Sequence, residues 1–122
     1  MVNPNIRKKV LEADCNRCIV CGFSGKSLEK KPILEAAHII PDNEGGPESL
    51  GNLISLCVRC HRLFDDYHLF YFDPDTRRMI LHESCDAERL DIFEKEGIFC
   101  PDRIEKGYLT RRKQLVCGYW ID

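Results

Sequence analysis

The sequence predicts a small α+β fold in a single domain, with two short strands and a helix at its centre and helices towards both ends. Three observations carry that expectation. At 122 residues and 14.2 kDa the chain fits one domain and leaves little room for a second. Helical stripes occupy both ends, whereas the middle alternates apolar runs with turn-forming residues. Two Cys-x2-Cys pairs bracket that middle, Cys18 with Cys21 and Cys57 with Cys60.

The elements follow in order. Asn3-Pro4 reads as an N-cap followed by proline at the first helical position, opening a helix over 4–15 with Ile6, Val10 and Ala13 on one face. Ile33 to Ile40 is an apolar, β-branched run that Pro41 stops, hence a strand. Asp42 to Pro47 is a turn-rich loop, and Asn52 to Leu56 a short extended stretch. From Val58 to Tyr67, the residues Leu63, Phe64 and Tyr67 fit a short helix. Leu69–Phe72 and Met79–Leu81 flank Asp73-Pro74-Asp75-Thr76 as a hairpin. A helical extension is expected over 84–120, its better helix starting near Asp102 and presenting Ile104, Tyr108, Leu115 and Val116. No Ser-, Gly- or Pro-rich linker interrupts the chain, so 1–122 is expected to be one domain.

Composition narrows the function classes. With 43% hydrophobic and 31% charged residues the profile is globular, neither disordered nor membrane-spanning. No apolar stretch approaches the roughly 18 residues of a membrane helix, so no membrane partner is expected. Met1 to Asp14 is polar and charged rather than a secretory signal, so a cytoplasmic address is expected. A net charge of −2 excludes a domain that holds nucleic acid by bulk positive charge. Any such contact must use local patches: Arg7, Lys8 and Lys9 near the start, or Arg111, Arg112 and Lys113 near the end.

Eight cysteines are the strongest compositional signal, and their spacing separates two readings. Each Cys-x2-Cys hook places two thiolates on one tight turn, and two hooks complete a tetrahedral Zn²⁺ site with sulfurs at about 2.3 Å. Gly22, directly after Cys21, suits the backbone reversal such a hook requires. Structural zinc at Cys18, Cys21, Cys57 and Cys60 is therefore preferred over a disulfide framework. Cys15, Cys85, Cys100 and Cys117 show no pairing pattern and read as small buried side chains, although Cys15 could replace a zinc ligand.

Between the hooks lies Glu35-Ala36-Ala37-His38-Ile39-Ile40-Pro41, then Gly45-Gly46, then Asn52, then Cys60-His61-Arg62-Leu63-Phe64-Asp65. In this order the sequence resembles the HNH nucleases of the ββα-metal superfamily, in the branch written Ala-His-Ile-x-Pro, Asn, His-x-Leu-Phe-Asp. The resemblance covers roughly residues 17–81 and implies a ββα-metal finger. It implies that His38 is the general base, that Asn52 bonds to the loop or to the ring and so fixes the imidazole, and that His61 ligates a catalytic cation. It implies DNA, double-stranded, as substrate, and products with a 5′-phosphate and a 3′-hydroxyl. Elementary chemistry agrees: a histidine near its ordinary pKa of about 6.5 can take a proton from water at neutral pH. One Mg²⁺, Mn²⁺ or similar divalent cation can take charge from the phosphate and the departing oxygen. Asp65, four residues after His61 on the same helical face, is expected to be a second ligand, the other reading being surface charge.

Many HNH enzymes place a metal ligand just before the catalytic histidine; here that residue is Ala37, which cannot ligate, and affinity for free metal should be weak. Glu35 is expected to face solvent rather than compensate. Arg59 and Arg62 flank the helix and can grip phosphate or stand as ordinary exposed arginines; Arg111 and Arg112 lean towards clamping DNA backbone over forming a solvated helix end. His61 could instead join the zinc beside Cys60, while His68 and His82 read as structural. Ala37 and the acidic balance keep a second function open, a zinc-held recognition module that binds nucleic acid or protein without cutting. Specificity in so small a nuclease would come from a homodimer or a partner protein.

Overall fold

The structure, a computed structural model, describes residues 2–30, 33–83 and 97–120. The described residues form a small α+β fold with three α-helices, a 3-10 turn at Asp42–Glu44 and two two-stranded antiparallel sheets. Helix α1 (Pro4–Ala13) starts where the cap signal puts it: the Asn3 side chain accepts a hydrogen bond from Asn5 N at 2.8 Å. Strands β1 (Glu35–His38) and β2 (Leu53–Leu56) pair antiparallel, with Glu35 opposite Leu56 and His38 opposite Leu53. The expected strand over 33–40 is thus shorter, because its partner offers only four residues; Leu34, Ile39 and Ile40 pack into the core beyond the ladder.

The chain leaves β2 and passes through Cys57 directly into α2 (Val58–Asp65). The hairpin falls close to its expected place, β3 (Phe70–Phe72) against β4 (Met79–Leu81). Phe64 of α2 meets Phe70 and Phe72 at ring-centroid distances of 5.0 and 6.5 Å, so the hairpin backs the helix. Val10 of α1 packs with Ala36 and Leu53 on the other side of the β1–β2 sheet. None of the described helices is long and apolar enough to cross a membrane.

The C-terminal part differs most from expectation. Residues 84–96 of the anticipated helical extension, with Cys85, lie outside the described residues. Helix α3 (Lys106–Trp120) begins four residues later than Asp102. The delay has a cause: Arg103 is drawn into a fork on Asp14, Nη1 to Oδ1 at 2.6 Å and Nη2 to Oδ2 at 3.0 Å, with Nη2 also donating to Leu53 O. Asp14 Oδ2 in turn accepts from Ser55 N. The buried stripe of α3 is Leu109, Arg112 and Val116, while Leu115 stays 37% exposed. Cys100 is buried as expected, but Cys117 is half-buried and Cys15, in a left-handed turn at φ 58°, is exposed.

Candidate active site

Four sulfurs converge where β2 meets α2. The Sγ atoms of Cys18, Cys21, Cys57 and Cys60 all lie within 4.8 Å of one another, and Cys21 and Cys57 are 3.6 Å apart. A tetrahedral ion with sulfurs at about 2.3 Å has edges of about 3.8 Å, so the cluster fits zinc. Each hook is closed by its own backbone, Cys21 N donating to Cys18 Sγ and Cys60 N to Cys57 Sγ. Gly22 turns the first hook back at φ 79°. Crowding four thiols sets their protons against one another: the hydrogen bond between Cys18 and Cys60 lowers the first, to about 5, and raises the second. Burial pushes Cys21 up to about 11. A bound cation relieves that conflict by holding all four as thiolates.

Directly after Cys60, His61 stands between two carboxylates. Its Nε2 lies 2.8 Å from Asp65 Oδ2, and its Nδ1 lies 2.8 Å from Glu35 Oε1. Asp65, foremost, and then Glu35 overcome partial burial and raise the His61 pKa above its ordinary value near 6.5. Burial alone would raise Asp65, but the His61 contact and the Arg112 guanidinium outweigh it and hold the carboxyl below its usual range. Glu35 is exposed, as expected, yet its carboxylate also reaches the His61 ring. The strand register places Glu35 opposite Leu56, the residue before Cys57, and so beside the first turn of α2.

His38 closes β1 and shares a cleft of about 370 Å³ with Arg7, Glu35, Ala36, His61 and Asp65. Its Nε2 is buried and has no hydrogen-bond partner among the described residues. Asn52 does not touch this ring; of the two expected partners, loop or imidazole, it takes the loop. Fully buried, it accepts from Ile40 N at 2.9 Å and donates to Ile40 O at 3.1 Å and Pro47 O at 3.0 Å. The loop closes tightly over it: a Cβ on Gly46 would collide with the Ile40 carbonyl. His38 is fixed through the backbone two residues on, rather than through its own ring.

The arginines divide. Arg59 lies against the cysteine cluster, and Arg62 pairs with Asp66 at 3.1 Å; neither lines the cleft. Arg111 is exposed and donates to Glu44 O at 2.9 Å. Arg112 contradicts its expected role on the DNA backbone: it is 3% exposed and donates inward to protein acceptors. The cation lining the cleft is Arg7 of α1, which also donates to Leu34 O. Glu35 as a partner of His61, and Arg7 as a wall of this cleft, are the two placements that the sequence did not predict. His68, stacked on Tyr119 at 3.9 Å, and His82, edge-on to Trp120, are structural as expected.

Two antiparallel strands and a helix, bracketed by the cysteine hooks and carrying His38, Asn52 and His61 in that order, give the ββα arrangement that the sequence resemblance implies. The comparison with protein families agrees: the model described as HNH endonuclease matches residues 18–73, just under half of the chain. A Type IV methyl-directed restriction enzyme, EcoKMcrA of Escherichia coli (strain K12), is 31% identical over 62 residues, which cover 49% of this chain and 22% of that protein. The solved structure of a modification dependent TagI restriction endonuclease has the same fold, with a TM-score of 0.71 at 23% identity, covering 93% of this chain and 38% of that one. The chain thus spans well under half the length of either protein.

Proposed function

We propose that this chain is a metal-dependent endonuclease unit that hydrolyses DNA phosphodiester bonds, leaving 5′-phosphate and 3′-hydroxyl ends, with double-stranded DNA as substrate. The observation that carries the reading is the shared cleft: a histidine with a bare, buried nitrogen opposite a His61–Asp65 pair. His38 Nε2 accepts the proton of the attacking water. His61 and Asp65 would hold the divalent cation, Mg²⁺ or Mn²⁺, their donor atoms 2.8 Å apart against about 3.0 Å for neighbouring ligands of an octahedral ion. That cation would supply charge stabilisation to the phosphate and the departing 3′ oxygen. Glu35 keeps the proton on His61 Nδ1, so that Nε2 presents its lone pair, as carboxylates behind metal-bound histidines commonly do. Asn52 holds the loop after His38, and Arg7 offers the phosphate a positive charge at the cleft wall. Zinc at the four cysteines would tie the first turn of α2 to the Cys18–Cys21 turn, and so hold His61 in place through adjacent Cys60.

The test is cleavage of supercoiled plasmid in Mg²⁺ or Mn²⁺, comparing the native chain with His38→Ala. Plasmid from methylating and non-methylating hosts is included because the names of both relatives carry modification dependence. Nicked or linear product from the native chain, reduced at least 100-fold in the variant, is expected. Equal cleavage by both, or DNA retention with no cleavage by either, overturns the reading; the latter favours a non-catalytic recognition module.

A further inference from the structure

We infer that Arg112, on a helix outside the stretch matched by the family, is a positioning residue for the Asp65 carboxylate and the end of the His38 strand. The inference rests on the cation site proposed above. Its starting point is an anomaly of patterning: Leu109, Arg112 and Val116 form the buried stripe of α3, and its central member is charged. Burying a guanidinium is unfavourable unless its partners compensate, and an apolar side chain would complete this stripe without that penalty. What Arg112 touches therefore matters.

Its partners are Asp65, which lines the cleft, and the carbonyls of Ile39 and Phe64, each next in sequence to a cleft residue. Nη1 donates to Ile39 O at 3.3 Å, the carbonyl immediately after His38. Nη2 donates to Phe64 O at 2.7 Å and to Asp65 Oδ1 at 3.3 Å. The guanidinium carbon sits 3.7 Å from the Phe64 ring centroid, which prevents it from tilting. One planar fork thus spans the strand that ends in the proposed base and the helix that ends in the proposed ligand. The two oxygens of Asp65 are divided, Oδ2 towards His61 and Oδ1 towards Arg112. When Asp65 Oδ2 and His61 Nε2 turn to a cation instead of to each other, Arg112 remains to hold the carboxylate in place. Hydrogen bonds behind a ligating carboxylate commonly alter metal affinity 10- to 100-fold.

The experiment measures Mn²⁺ binding by electron paramagnetic resonance on the zinc-loaded chain, for native protein, Asp65→Asn, Arg112→Gln and the double variant, with thermal melts alongside. Asp65→Asn and Arg112→Gln are each expected to weaken Mn²⁺ binding about tenfold. The double variant should be no more than about threefold weaker than Asp65→Asn alone, because Arg112 acts through Asp65. Full additivity, or an unchanged Mn²⁺ affinity in a merely less stable Arg112→Gln, overturns the inference. If Arg112→Gln does not fold, Arg112→Lys replaces it, since one ammonium retains the charge but cannot span three acceptors. Failure of the underlying site is distinguishable: Asp65→Asn would then bind Mn²⁺ as the native chain does, whatever Arg112 does.

Discussion

Replacing Asn52 by alanine removes a side chain that makes three hydrogen bonds in a fully buried position, two to Ile40 and one to Pro47. The Ile40 N–H is then buried without its acceptor, an omission worth about 1–3 kcal/mol, and the two bonds to carbonyls are worth about 1 kcal/mol each. Relaxation of the loop recovers part of this, leaving a loss of about 3 kcal/mol from a total of about 5–15 kcal/mol for such a domain. At about 3 °C per kcal/mol for a chain of this size, the melting temperature should fall by roughly 10 °C. Scanning calorimetry at fixed zinc measures it, and a fall below 3 °C would refute the claim that Asn52 anchors the loop. Asn52→Asp sharpens the test. It keeps an acceptor for Ile40 N but turns a carboxylate towards the carbonyls of Ile40 and Pro47. With no donor to spare, the introduced acid has its folded-state pKa raised. Its destabilisation is present at pH 7 and relieved as pH falls through that raised value, because the protonated carboxyl can donate to a carbonyl, so at lower pH this variant should recover towards the native chain and exceed Asn52→Ala.

Three further outcomes follow from the geometry. Cys57→Ser, or zinc removal by chelator, should abolish cooperative unfolding, because structural zinc contributes about 10–16 kcal/mol in small zinc domains; an unchanged circular-dichroism spectrum after verified zinc loss contradicts this. Gly46→Ala places a methyl against Ile40 O and beside Asn52 Nδ2, and should cost about 2–4 kcal/mol in denaturant titration; a cost under 1 kcal/mol would mean the loop is not closed there. Protonated His61 between Asp65 and Glu35 stabilises the metal-free fold below about pH 6.5, and that contribution is lost as pH rises through its raised pKa. Mn²⁺ affinity runs oppositely, rising about tenfold per pH unit below that pKa and levelling above it. Glu35→Gln should move the midpoint down, and a pH-independent affinity defeats the assignment of His61 as ligand.

Much of the centre of this fold was legible because its signals are local. Asn3-Pro4, Pro41, the turn at Asp73-Pro74 and the two hooks depend on chain conformation over two to four residues, and each stands where expected. His61 and Asp65 meet because α-helical geometry brings i and i+4 together. Arg7, Glu35 and Arg112 were not readable in this way, because what they touch lies 26 or more residues away. Glu35 reaches His61 only through the register of β1 on β2, which puts it beside the start of α2. Arg112 looked like one of three surface cations, yet the packing of α3 buries it and leaves Arg111 exposed.

Spacing along the chain sets the two cysteine hooks and the order of His38, Asn52 and His61 between and beside them, so these were readable before any fold was known. Tertiary structure alone decided which charges face the cleft. That choice depends on strand register and on how α1 and α3 pack against the finger, where burying or exposing a charge outweighs any local preference.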